Sequence, residues 1–219
     1  KQQQNAQIGE SVRAKVTIAA NAAPGLRQWR LRTVGGLSNP MRFAIGQHPE
    51  IREAEPEAVF DFEHYSGGAA SGKKARKTAV VTPTATLPVT INGRILPGEV
   101  DEFSIQAKKD DQVVVAVQAR NLIPYLADAV PGWFQAVVSL TNPQGYEVAF
   151  ADDYRFDPDP VLFYKIPYDG EFRIKVRDSI YRGREDFVYR ITIGELPFLT
   201  GISPLGAKAG STTDITFLG

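Results

Sequence analysis

Glu171-Phe172-Arg173-Ile174-Lys175-Val176-Arg177 alternates a charged side chain with an apolar one at every step. In an extended chain successive side chains leave on opposite faces, so Phe172, Ile174 and Val176 form one row and the four charged residues the other. Wound into a helix, the same residues would spread charge around the whole circumference. The stretch is therefore a half-buried strand. The same period recurs in Arg13-Ala14-Lys15-Val16-Thr17-Ile18-Ala19, and further strands are expected at 28–33, 41–45, 89–92, 103–107, 112–119, 135–141 and 187–193.

Turn chemistry separates these runs at Pro24-Gly25, Asn39-Pro40, Asn92-Gly93, Pro97-Gly98, Asn142-Pro143, Gly145 and Asp169-Gly170. Many short strands with frequent Gly and Pro punctuation predict an all-β protein built from antiparallel sandwiches. Leu122, Ile123, Leu126 and Ala129 fall near helical spacing, but Pro124 and Pro131 reduce that stretch to a single turn or a broad loop.

Composition shifts between residues 51 and 86. Glu53, Glu55, Glu57 and Asp61 are followed by Ser66-Gly67-Gly68-Ala69-Ala70-Ser71-Gly72 and then by Lys73, Lys74, Arg76 and Lys77. Small and charged residues bury too little surface to order a chain, so 51–86 reads as a linker and its basic run as a solvated loop. It divides a module over 1–50 from a larger one over 87–194. Residues 195–219 read as strand, turn and strand, the start of a further module, because a two-stranded piece is only marginally stable alone.

Of 219 residues, 25 are basic and 25 acidic, 43% are hydrophobic and none is cysteine. Zero net charge removes the driving force toward phosphate backbones or anionic lipid, so neither nucleic acid binding nor membrane insertion is expected. Thiol catalysis, disulfide scaffolds and cysteine-held zinc are excluded. No run approaches the roughly 18 apolar residues that cross a bilayer, and Lys1-Gln2-Gln3-Gln4 lacks a signal peptide's apolar core.

Residues 87–194 carry a block pattern. Val89-Thr90-Ile91-Asn92-Gly93 leads to Pro97-Gly98-Glu99-Val100-Asp101-Glu102-Phe103 and to Val113-Val114-Val115-Ala116-Val117-Gln118-Ala119-Arg120. Asn142-Pro143-Gln144-Gly145, Ala151-Asp152-Asp153 with Asp157-Pro158, and Pro167-Tyr168-Asp169-Gly170-Glu171-Phe172 with Tyr189-Arg190-Ile191 follow. This segment resembles the bacterial pre-peptidase C-terminal domain family. The resemblance implies a jelly-roll-like sandwich appended to secreted proteases and other large exported proteins, with an accessory role in secretion or substrate binding. The flanks resemble split immunoglobulin-like TIG modules, a second half over 23–43 and a first half over 204–216. Residues 212–217 are expected to pair with 13–19 of the same or a neighbouring chain, because unpaired edges are costly.

Histidine is the commonest general base, and the chain has only His48 and His64, both in loop contexts. Neither a G-x-S-x-G elbow nor an H-E-x-x-H motif is present, so no catalytic residues are assigned and the chain is expected not to be an enzyme. Gly67 to Lys73 fits G-x-x-x-x-G-K, but Lys74 stands where magnesium needs a hydroxyl and no helix follows to aim a dipole at phosphate. It reads as linker.

Asp152, Asp153, Asp157 and Asp159 cluster in one loop, with Asp178 at a later strand end. Calcium takes six to eight oxygen ligands, and these five carboxylates are the candidate metal site, with calcium the candidate cofactor. Solvated, turn-forming aspartates are the plainer alternative. Tyr125, Trp133 and Phe134 surround the 124–132 loop and are the candidate ligand-binding residues, since exposed rings stack on sugars or anchor proteins. Adjacent Trp133 and Phe134 point to opposite sides of an extended chain, which puts at least one ring in the core. Trp29 alternates with Leu31 and reads as core or module interface.

The expected function is that of a non-catalytic accessory, adhesion or targeting module of a large exported bacterial protein, secreted, periplasmic or at the cell surface. Its partners would be other modules of the same parent and an extracellular protein or glycan. A carbohydrate-binding module supported by calcium is the alternative.

Overall fold

The computed structural model describes residues 14–53, 82–123, 134–184 and 186–219. Ten strands build the sandwich: β5 (Glu50–Arg52), β6 (Thr82–Ala85), β7 (Val89–Arg94), β8 (Asp101–Ala107), β9 (Gln112–Gln118), β10 (Ala136–Thr141), β11 (Glu147–Ala151), β12 (Val161–Lys165), β13 (Gly170–Asp178) and β14 (Val188–Gly194). One sheet runs β11-β10-β13-β8-β6 and the other β12-β9-β14-β7-β5. The all-β expectation holds.

The alternation in β13 shows why the layers form. Phe172, Ile174 and Val176 are fully buried, and the register sets Phe172 opposite Ile105, Ile174 opposite Phe103 and Leu140, and Val176 opposite Val138. The facing sheet returns Ile91, Val115, Val117, Ile191 and Ile193 to the same core. On the outer face Arg173 pairs with Glu102 at 3.1 Å and with Glu171 at 3.5 Å, a solvated network that contributes little stability. The predicted Asn142 turn forms as expected: its Oδ1 accepts from the N–H groups of Gln144 and Tyr146, and Gly145 takes a left-handed φ of 86°.

Two expectations about boundaries are corrected. The stretch 51–86 was expected to be linker throughout, yet strands enter it from both ends. β5 lies parallel to β7 and β6 parallel to β8, and Ile51 packs on the core. A three-residue edge strand buries one side chain, too little to register in composition. Residues 14–19, expected as a strand, follow an irregular path.

The flanks are small ribbons. β1 (Gly25–Trp29) pairs with β4 (Met41–Ile45), β2 (Arg32–Thr33) with β3 (Gly36–Leu37), and β15 (Gly201–Ser203) with β16 (Thr216–Leu218). The terminal strand thus pairs locally with Gly201–Ser203 and not with 14–19. Trp29 packs edge-to-face on Phe43 within the first ribbon. No helix among the described residues is long and apolar enough to cross a membrane.

Candidate functional site

Strand register gathers the longer connections at one end of the sandwich. β10 starts opposite the end of β13 at Ala136 and Asp178, while β11 ends and β8 starts against the same part of the sheet, Ala151 opposite Val138 and Asp101 opposite Val176. In the other sheet β7 ends at Arg94 opposite Val188, β9 ends at Gln118 opposite Arg190, and β12 starts at Val161 opposite Ala116. The connections that follow β7, β9, β11 and β13 therefore leave from the same end. Of the candidate site residues, Phe134, Asp152, Asp153, Asp157, Asp159 and Asp178 lie on these connections or at their stems.

Asp178 is fully buried and acts as the hub of one loop. Its carboxylate accepts from the N–H groups of Gln135, Ile180 and Arg182 at 3.0–3.2 Å and takes both Nε and Nη2 of the Arg182 guanidinium at 3.0 Å. Asp159, also buried, accepts from the N–H of Arg120 at 2.7 Å and of Asn121 at 2.9 Å, fixing the start of the 119–135 loop. Asp157 accepts from the N–H of Asp159 and the side-chain amide of Asn121, whereas Asp152 and Asp153 are exposed. The expected calcium centre is corrected accordingly. Among the described residues no three His, Asp or Glu side chains come together to hold a metal ion. Oxygens pooled for a cation would have to be free, and those of Asp159 and Asp178 are taken by backbone N–H groups that chain reversal leaves without ladder partners.

Phe134 is corrected too. It is fully buried and stacks on Phe187 with centroids 5.2 Å apart, sealing the core beneath the loops. Tyr125, Trp133 and His64 lie outside the described residues; His48 is half-buried in the turn before β5.

Among the described residues, the apolar surface at this end comes from positions not singled out in the sequence. Phe156 is 104% exposed, Ile180 68% and Tyr181 54%. Tyr181 sits at φ 58° and Arg155, beside Phe156, at φ 61°, a left-handed conformation that a bulky L-residue adopts only under constraint. The constraint on Tyr181 is visible: its N–H donates to the Asp178 carbonyl, its own carbonyl accepts from Gly98 N–H at 3.1 Å, and the Arg177 guanidinium covers its ring at 4.7 Å. The same loop is stitched to 95–100 by Arg184 N–H to Ile95 carbonyl and Ile95 N–H to Phe187 carbonyl.

Below the loops lies an acid pair. Asp101, only 5% exposed, accepts from the Tyr189 hydroxyl at 2.8 Å and hydrogen-bonds Glu53, whose Oε2 also accepts from Arg94 N–H. Burial, then the Glu53 charge, pushes the Asp101 carboxyl up to about 9; the Tyr189 hydrogen bond opposes that rise and Glu99 adds to it. Burial and the Asp101 charge likewise raise the Tyr189 phenol. Gly93 makes the arrangement fit, since a Cβ there would overlap the Tyr189 hydroxyl and Glu53 Oε2. The signal in the sequence was Asp101 on the inward row two residues before Phe103, where an unpaired carboxylate would be costly.

Beside this pair a cleft of about 520 Å³ opens between β4 and the outer face of the second sheet. Arg42, Arg52, Arg94 and Arg190 line it with Glu50 and Glu53, over an apolar floor that includes Phe43 and Ile123. Arg190 pairs with Glu50, which also accepts from the Asn92 side-chain amide at 3.0 Å, and Arg42 donates to the Asn121 carbonyl at 2.5 Å.

About half of the chain is similar to other solved structures over nearly their whole length. The pre-peptidase C-terminal domain of collagenase from Bacillus anthracis matches at a TM-score of 0.38 and 9% identity, over 54% of this chain and 96% of that one. Aeromonas hydrophila PliG, a periplasmic lysozyme inhibitor of g-type lysozyme, matches at 0.35 and 15% identity, over 53% and 95%. Salmonella Typhimurium PliG matches at 0.33 and 18%, over 53% and 96%. No protein-family model and no curated protein matches the chain.

Proposed function

We propose that this chain is a non-catalytic accessory module of an exported bacterial protein, and that it holds a protein partner through the loop-bearing end of its sandwich. The observation that carries this is Tyr181: an exposed aromatic on a backbone it disfavours, pinned by Asp178, Gly98 and Arg177. Strain of that kind persists where the surroundings over-determine it, and it suits presentation of a ring that loses little freedom on binding. Phe156 and Ile180 add exposed apolar surface on the same end, and aromatic rings such as Phe156 and Tyr181 carry large shares of interface energy. The resemblance of residues 87–194 to domains carried by exported proteins supports the setting, with the flanking ribbons joining neighbouring modules of the parent.

The test is capture of exported-fraction proteins by immobilised wild-type chain and by a Phe156→Ser/Tyr181→Ser variant, with a glycan array run in parallel. A protein retained by the wild type and lost by a variant of unchanged melting temperature is expected. An identical retained set, or specific glycan binding in place of protein binding, overturns the reading.

A further inference from the structure

We infer that the cleft between β4 and the second sheet receives an extended acidic peptide segment, laid alongside β5 as an added strand. This deepens the proposal that the loop-bearing end binds protein, and rests on it. Leu122 and Ile123 of the 119–135 loop form part of the same cleft wall.

The first support is the sheet edge. β5 closes the order β12-β9-β14-β7-β5, hydrogen-bonding β7 on one side, and among the described residues no strand pairs with its other side. Such an edge offers a row of N–H and C=O groups to an incoming strand, the basis of recognition by strand addition. Glu50 and Arg52, the two ends of β5, both face the cleft.

Charge is the second support. Four arginines line the cleft against two glutamates. Glu50 is taken up by Arg190 and Asn92, and Glu53 is held by Asp101 and the Arg94 N–H. Asp101 behind them keeps its proton, so it adds no negative charge to the rear wall. The positive excess stays with guanidinium groups, whose planar forks suit carboxylates.

The third support is the mixed lining. Met41, Phe43, Leu122 and Ile123 give an apolar floor beside the arginines. An extended peptide sends alternate side chains to opposite sides, so alternating acidic and apolar residues meet both surfaces at once. A polyphosphate has no apolar row to offer the floor, and an acidic sugar chain carries its charge and its C–H faces on the same rings and has no backbone N–H to pair with β5.

A fluorescein-labelled octapeptide of alternating Glu and Val, titrated against the whole chain, tests this, with the Lys-Val analogue and oligogalacturonate as controls. Binding that falls with added salt and weakens about tenfold in Arg52→Glu and in Arg42→Glu, at unchanged melting temperature, is expected. No binding at millimolar protein, equal binding of the Lys-Val peptide, indifference to both substitutions, or oligogalacturonate binding as tightly overturns the inference. Failure of the peptide while partner capture still depends on Phe156 and Tyr181 sinks the cleft assignment alone.

Discussion

The Tyr189 hydroxyl donates a 2.8 Å hydrogen bond to Oδ2 of Asp101 inside the sandwich, and Glu53 reaches the same carboxyl from the end of β5. The contact joins both sheets and the parallel edge strand at one point. Because two carboxyl groups share a dry site, one of them must keep a proton.

That proton makes stability depend on pH. The folded Asp101 holds it up to about pH 9 against a usual value of 3.8. Its contribution is therefore complete below about pH 4 and is lost as pH rises toward 9, with a slope of up to about 1.4 kcal/mol per pH unit. In Asp101→Asn the side-chain amide donates to Glu53 and its oxygen still accepts from Tyr189, with no proton to lose. Denaturant titrations at pH 5, 7 and 9 are expected to show Asp101→Asn gaining on wild type as pH rises. Parallel curves would mean the carboxyl is not protonated.

Tyr189→Phe tests the same contact from the other side. It leaves Oδ2 of Asp101 buried without its donor, at a cost of about 1–3 kcal/mol. The effect is read as a lower denaturation midpoint with an unchanged slope; a change under a few tenths would show that water replaces the hydroxyl.

Asp178→Ala removes the acceptor for three backbone N–H groups and the partner of Arg182. Breaking a buried pair from one side costs about 3–5 kcal/mol, and the partial exposure of Arg182 places this case near the lower end. With its oxygens occupied, wild-type melting in calcium and in chelator is expected to coincide, since a cation bound only to the folded form would raise the midpoint. A clear upward shift with calcium would restore the metal reading.

What could be read from the residues alone follows from how each element is stabilised. β13 was legible because Phe172, Ile174 and Val176 face one shared core, so its alternation is undisturbed. β12 was not, because Val161-Leu162-Phe163-Tyr164 is a continuous apolar run with no period. β11 hides its period behind a bulge at Val148, opposite Leu140 and Thr141 of β10, and β5 and β6 are short edges, where Pro83 can be tolerated without its ladder N–H. Asp157, Asp159 and Asp178 stood out in the sequence as loop and strand-end carboxylates, but their roles were not legible: a cluster of aspartates looks alike in sequence whether its oxygens bind a cation or cap loop amides.

Gly183→Ala probes how tightly the loops are locked. A Cβ there would overlap the carbonyl of Leu96 and the nitrogen of Pro97, backbone atoms that cannot rotate away. The expected loss is about 1–3 kcal/mol, the range for overpacking. Gly206→Ala, with nothing within 4 Å of its added methyl, is the matched control and should melt with the wild type. Equal melting of both variants would show the 95–100 and 179–187 loops to be loosely apposed.

Tyr181→Asn separates binding from folding. Asparagine tolerates the φ of 58° far better than tyrosine, which relieves about 1–2 kcal/mol of strain. Against that stands the lost cation–π contact with Arg177, worth about 0.5–1 kcal/mol at an exposed site. The variant should therefore be as stable as the wild type or slightly more so, while partner capture falls. That combination is the signature of a residue kept for contact at a cost in stability. A loss of more than about 2 kcal/mol, of the size that follows truncation of a packed side chain, would instead make Tyr181 part of the scaffold and remove the observation on which the binding role stands.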